Sequence, residues 1–139
     1  MKNIDLIIEL NKSLLEEKRR DLALLLNEES RLENQITKLD QNLIKEQDFS
    51  RLNKDSIFYY DNFAKFIKFQ KKDLNEKLSK IQLIVLKARE LVNESFLELR
   101  KYEITKDEFE KEEKIELSRK EQSELDEISI GMFSRNNSR

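Results

Sequence analysis

The sequence predicts an all-α protein: two long helices in an antiparallel coiled-coil hairpin, with helix two overhanging at the C-terminus. Three observations carry this. Apolar residues recur at alternating steps of three and four along two long stretches, the heptad pattern that makes helices pair. There is no proline and the only glycine is Gly131, so little before that position favours the tight turns of a many-element globule. Charged residues make up 40% of the 139 and hydrophobic ones 37%, enough to fill a narrow seam but not a thick core.

Helix one is expected over residues 3–48. Its seam reads Ile4, Ile8, Asn11, Leu15, Lys18, Leu22, Leu25, Glu29, Leu32, Ile36, Leu39 and Leu43, nine of the twelve being apolar. Asn11, Lys18 and Glu29 interrupt the stripe; polar seam residues cost stability but fix register. Periodicity then fails in DFSRLNKDS, residues 48–56, where Asn, Asp and Ser gather. The turn is placed at about 49–56, with Asp55 or Ser56 as N-cap of helix two, because a short polar oxygen accepts the unpaired backbone N–H groups there. The alternative is one uninterrupted helix that dimerises.

Helix two is expected over residues 57–130. Its seam reads Tyr60, Phe63, Ile67, Gln70, Leu74, Leu78, Ile81, Val85, Ala88, Val92, Ser95, Leu99, Tyr102, Lys106 and Phe109. Two consecutive steps of four, Gln70 to Leu74 to Leu78, form a stutter that locally unwinds a supercoil. A turn centred near residue 53 brings the widest apolar bands, Leu22–Leu26 and Leu83–Leu86, to the same level. Helix one runs out of residues about where the second seam ends, so residues 110–139 have no partner in the hairpin. Residues 110–124 are polar nearly all round, with Asp107–Lys111, Glu110–Lys114 and Glu116–Lys120 as acid-first pairs spaced by four. Apolar residues return as Leu125, Ile128 and Met132, flanked by Ile130 and Phe133, a stripe without an intramolecular mate. Gly131 is expected to end the helix and 131–139 to fray. The whole is read as one coiled-coil domain.

The chemistry excluded is extensive. With no histidine and no cysteine, the commonest bases, nucleophiles and zinc ligands are missing. One glycine cannot make a phosphate-binding loop. Carboxylates are plentiful but lie among lysines on solvated faces. No enzyme activity, cofactor or metal is expected. A net charge of −2 draws the chain to neither nucleic acid nor membrane as a whole. The N-terminus carries charges within its apolar part, unlike a signal peptide, and no apolar run approaches the ~18 residues of a spanning helix. A cytoplasmic location is therefore expected.

One patch stands apart. Residues 57–72, IFYYDNFAKFIKFQKK, interleave Phe58, Tyr59, Tyr60, Phe63, Phe66 and Phe69 with Lys65, Lys68, Lys71 and Lys72. Tyr60 and Phe63 belong to the seam, which leaves Phe66 and Phe69 as a surplus. Residues 54–89 carry nine basic against four acidic groups, whereas 103–127 carry five against eleven. Aromatics with lysines can hold single-stranded nucleic acid or lipid headgroups, but docking of another protein is the reading preferred, packing alone comes second, and no nucleic acid is expected.

The first helix, the turn, the entry Tyr60-Asp61-Asn62-Phe63 and the C-terminal EQSELDEISIGMF (121–133), with Leu125-Asp126-Glu127, together resemble the flagellar export protein FliJ family. The resemblance spans nearly the whole chain. It implies a fold like the coiled-coil stalk subunit of rotary ATP synthases and a non-enzymatic stalk and escort role in flagellar type III protein export. The implied partners are the hexameric flagellar export ATPase, a membrane export-gate protein and export chaperones. The implied location is cytoplasmic, peripherally associated with the inner membrane at the flagellar basal body. By the same resemblance Leu125, Asp126, Glu127, Ile128 and Met132 face the ATPase ring. Gln35, Leu39, Phe63 and Ile67 match gate-contact positions, with Phe66 and Phe69 beside them. Asn42 and Glu46 stand where some relatives have aromatics. The stalk of a virulence-type secretion system and a dimerising coiled-coil scaffold are the alternatives.

Overall fold

The computed structural model describes residues 2–52, Asp55 and residues 57–137. The fold is an all-α helical hairpin in which two long helices, α1 (Lys2–Leu52) and α2 (Ile57–Asn137), pack against each other. The residues group into two units: a turn unit, Ser13–Phe96, and a terminal unit, Met1–Lys12 with Leu97–Arg139.

In the turn unit the core is a single seam. Leu15 and Leu32 of α1 and Ile67, Val85 and Ala88 of α2 are buried. The other expected seam positions, from Lys18 to Leu43 on α1 and from Tyr60 to Ser95 on α2, are half-buried. This is how a two-helix layer must look, since one partner covers only one side of each side chain. Gln70, Leu74 and Leu78 all stay on the seam, so the double step of four turns no residue outwards. Across the seam Lys71 Nζ lies 2.6 Å from Asp40 Oδ1.

α1 runs further than the sequence predicts. Residues 49–52, expected in the turn, are helical, and the seam continues past Leu43 through half-buried Gln47 and Ser50. Ser50 stays within the helix, its hydroxyl donating to the Gln47 carbonyl at 3.0 Å, and no residue of 49–52 is a glycine or proline that would break it. Of the two N-cap candidates, Asp55 stands in a 3₁₀ turn and Ser56 lies outside the described residues. α2 begins at Ile57, as expected.

In the terminal unit Ile4, Ile8 and Leu99 are buried, and Asn11, Tyr102 and Lys106 are half-buried beside them. Asn11 does not leave a polar group stranded at the seam, because its Nδ2 donates to the Ile7 carbonyl at 2.8 Å. Lys106 Nζ meets Asp5 Oδ1 at 2.6 Å, and the Asp5 carboxylate raises the ammonium pKa above its ordinary value. Pairing ends there. Phe109, placed on the seam by its spacing, is 39% exposed: with Asp5 opposite Lys106, α1 has almost no residues left to cover it. Residues 110–130 are exposed throughout. Asp107–Lys111 closes at 3.5 Å as the acid-first spacing predicts, and Glu110 turns back to Lys106 at 4.0 Å.

The helix does not stop at Gly131. It runs through that residue to Asn137, where the sequence reading ends it at 130 and frays the tail. No glycine takes the left-handed conformation a C-cap needs. A lone glycine costs only about 1 kcal/mol in a helix interior.

Candidate functional site

Two surfaces follow from these units, one in each. In the turn unit the exposed face of α2 carries a ridge, Phe69, which is 73% exposed. On one side a shallow groove is lined by Gln35, Lys38 and Leu39 of α1 with Phe69, Gln70, Asp73 and Leu74 of α2. On the other side a second groove is floored by Leu43, Ala64 and Ile67 and edged by Lys65, Lys68 and Lys72. Both exist because a two-helix seam leaves a furrow on each side, and Ala64 deepens one of them where a larger side chain would fill it.

The structure therefore brings Gln35, Leu39 and Phe69 together in one furrow. Ile67 contributes differently. It is only 2% exposed, the most covered apolar residue of the core, so it supports the second furrow from beneath. Phe63 is half-buried on the seam, and Phe66 stands exposed outside both furrows. Sequence reasoning missed the contributions of Leu43 and Ala64; the signal available was a small residue three positions before a buried isoleucine.

Electrostatics around the furrows is simple. Lys65 pairs with Asp61 at 3.4 Å and Lys71 with Asp40, while Lys68 and Lys72 have no ion-pair partner among the described residues. Further along α1, Arg31 grips Glu28 with two hydrogen bonds, Nε to Oε2 at 2.9 Å and Nη2 to Oε1 at 2.5 Å. That bonding holds the Glu28 carboxyl below its ordinary range.

In the terminal unit Leu125, Ile128 and Met132 recur at steps of three and four and are all exposed, with Ile130 and Phe133 beside them. Asp126 accepts a hydrogen bond from Gln122 Nε2 at 3.2 Å, and Glu127 is exposed. Among the described residues no group of three acidic, histidine or cysteine side chains is placed to hold a metal ion. None of the described helices is long and apolar enough to cross a membrane.

The fold and these surfaces define a coiled-coil hairpin protein whose distinctive groups are exposed apolar side chains on helix faces. The chain belongs to the flagellar FliJ protein family, whose model matches residues 1–138, and this makes it a component related to flagellar protein export. No curated protein and no solved structure matches it.

Proposed function

We propose that this chain is a non-enzymatic stalk and escort component of the flagellar type III export apparatus. Its C-terminal stripe enters the hexameric export ATPase ring, and its turn-unit furrows meet the membrane export gate. Export chaperones are its further partners, and it works in the cytoplasm against the inner membrane at the flagellar basal body. The observation that carries this reading is the exposed stripe Leu125, Ile128 and Met132 on a helix that α1 no longer covers. Each such side chain gains about 1.5–3 kcal/mol when a partner takes it from water, and a large unmated apolar stripe marks an interaction site. Asp126 and Glu127 lie between them and set the polar margin. At the gate Gln35, Leu39 and Phe69 make contact from one furrow, Phe63 and Phe66 flank it, and Ile67 holds the seam beneath.

Ending the chain at Glu124 tests the reading. The shortened protein is expected to stop stimulating a co-purified export ATPase while melting as before; unchanged stimulation refutes ring insertion. A second reading has its own observation: in the two apolar bands Leu24, Leu83, Ile84 and Leu86 are exposed. These would suit a homodimer seam, and sedimentation at micromolar concentration decides, since a tight dimer favours the scaffold.

A further inference from the structure

Two stretches of the surface carry opposite charge on matching spacings. Around the furrow floored by Leu43 and Ile67, residues 61–80 of α2 hold six lysines against Asp61, Asp73 and Glu76. Residues 38–47 of α1 are balanced at two and two, so this face carries a net +3. Lys65, Lys68 and Lys72 follow steps of three and four along its edge. Asp61 engages Lys65, while Lys68 and Lys72 stay uncommitted among the described residues. Residues 107–127, past the end of the pairing with α1, hold ten acids against four bases, a net of −6. Glu113, Leu117, Glu121, Glu124 and Ile128 recur there at steps of four, four, three and four. Acids and exposed apolar side chains thus share one face of the overhang. The ion pairs nearby, Lys106–Glu110 and Lys111–Asp107, leave Glu113, Glu121 and Glu124 unengaged among the described residues.

We infer that this chain associates with itself, the acidic overhang of one molecule lying in the basic furrow of a second copy. Charge selects the occupant. Many apolar helix faces fit a furrow floor, but uncommitted lysines along its edge favour an acidic one, and the chain supplies such a helix at the same concentration as the furrow. The overhang cannot serve its own furrow: both lie on α2, one helix from Ile57 to Asn137, and a helix does not fold onto itself without a break. Lengths agree as well. Leu117 and Ile128 stand about 17 Å apart along the helix, within the ~22 Å over which the furrow runs from Ala64 to Ser79. Exposed charge pairs are weak and screened by salt, so the association is transient and governed by ionic strength. It is distinct from a seam formed by the bands at Leu24 and Leu83–Leu86. Self-docking covers the overhang and a furrow together, so it competes with any other partner of either surface. Its test needs neither the ATPase nor the gate.

Sedimentation equilibrium of the full-length chain from about 5 to about 200 µM provides that test. In about 0.1 M salt the mean mass is expected to rise with concentration. In about 1 M salt, where the screening length falls from ~10 Å to ~3 Å, it should stay near that of one chain. Lys68→Glu with Lys72→Glu should weaken association about ten-fold, and so should Glu121→Lys with Glu124→Lys. Circular dichroism should show the helix content of both variants unchanged, since all four side chains are exposed. Mixed in equal amounts, the two variants should associate as tightly as the unaltered chain, because each overhang then meets a furrow of opposite charge. Leu24→Gln with Leu83→Gln should leave association as it was. A mass that stays constant in low salt overturns the inference, as does association undiminished in 1 M salt or by the lysine reversals. So does a mixture that fails to restore binding, or loss of association in the Leu24 and Leu83 variant, which would assign the contact to the apolar bands.

Discussion

Replacing Ile67 with alanine separates packing from display on the same helix. The side chain is 2% exposed, and the substitution removes three carbons, worth about 2.4 kcal/mol at ~0.8 kcal/mol per buried methylene. A sealed core would add a cavity penalty and bring the loss towards ~5 kcal/mol. Ile67 instead lies at the floor of an open furrow with Leu43 and Ala64, where neighbours settle and water enters, so the loss should stay near 2–3 kcal/mol. Phe69→Ala, two residues away, should cost no more than about 0.5 kcal/mol because that ring is already in water. Urea unfolding followed by circular dichroism measures both, with an unchanged denaturant slope if the helices still unfold together. Equal losses for the two variants would refute the seam assigned to α2.

Three further outcomes follow from the same geometry. Gly131→Ala should stabilise the C-terminal helix by about 0.5–1 kcal/mol, since an added Cβ meets nothing within 4 Å and the backbone is already helical; amide exchange from Ile128 to Asn137 should slow. The Glu28 carboxyl should titrate by NMR below its position in an Arg31→Gln variant. A depressed carboxyl contributes its stability in full above the ordinary glutamate range and loses it as pH falls through the lowered value. Changing Leu125, Ile128 and Met132 together to Asn, Asn and Gln should move the unfolding free energy by no more than about 1.5 kcal/mol, about 0.5 for each exposed position, while abolishing ATPase stimulation.

Much of this architecture is legible in the residues because a two-helix layer has one requirement: an apolar position every three or four residues. Polar Lys18 and Glu29 take their seam places as surely as the leucines. The departures have local causes. The stretch DFSRL looks like a turn by composition, yet contains no glycine or proline to break a helix, so α1 continues to Leu52. The longer α1 moves the turn and with it the facing pairs: Asp40 meets Lys71, a few positions beyond the partner a turn at residue 53 gives it. Gly131 fails as a stop because nothing in the described helix makes the left-handed turn that glycine would permit. The surplus of Phe66 and Phe69 was readable by subtraction from the seam. The furrows on either side of Phe69 were not, since they depend on how α1 lies against Ala64 and Leu74.

Pairing of α1 with α2 inside one molecule is tested most directly by a distance across the Asp40–Lys71 bridge. The chain has no cysteine, so Asp40→Cys and Lys71→Cys accept two spin labels and no others, and dilution into unlabelled protein isolates the intramolecular signal. Paired helices have axes about 8–10 Å apart, so the labels should report a short separation set mainly by their own tethers. One unbroken helix would hold the two positions about 45 Å apart, and that distance would contradict the hairpin.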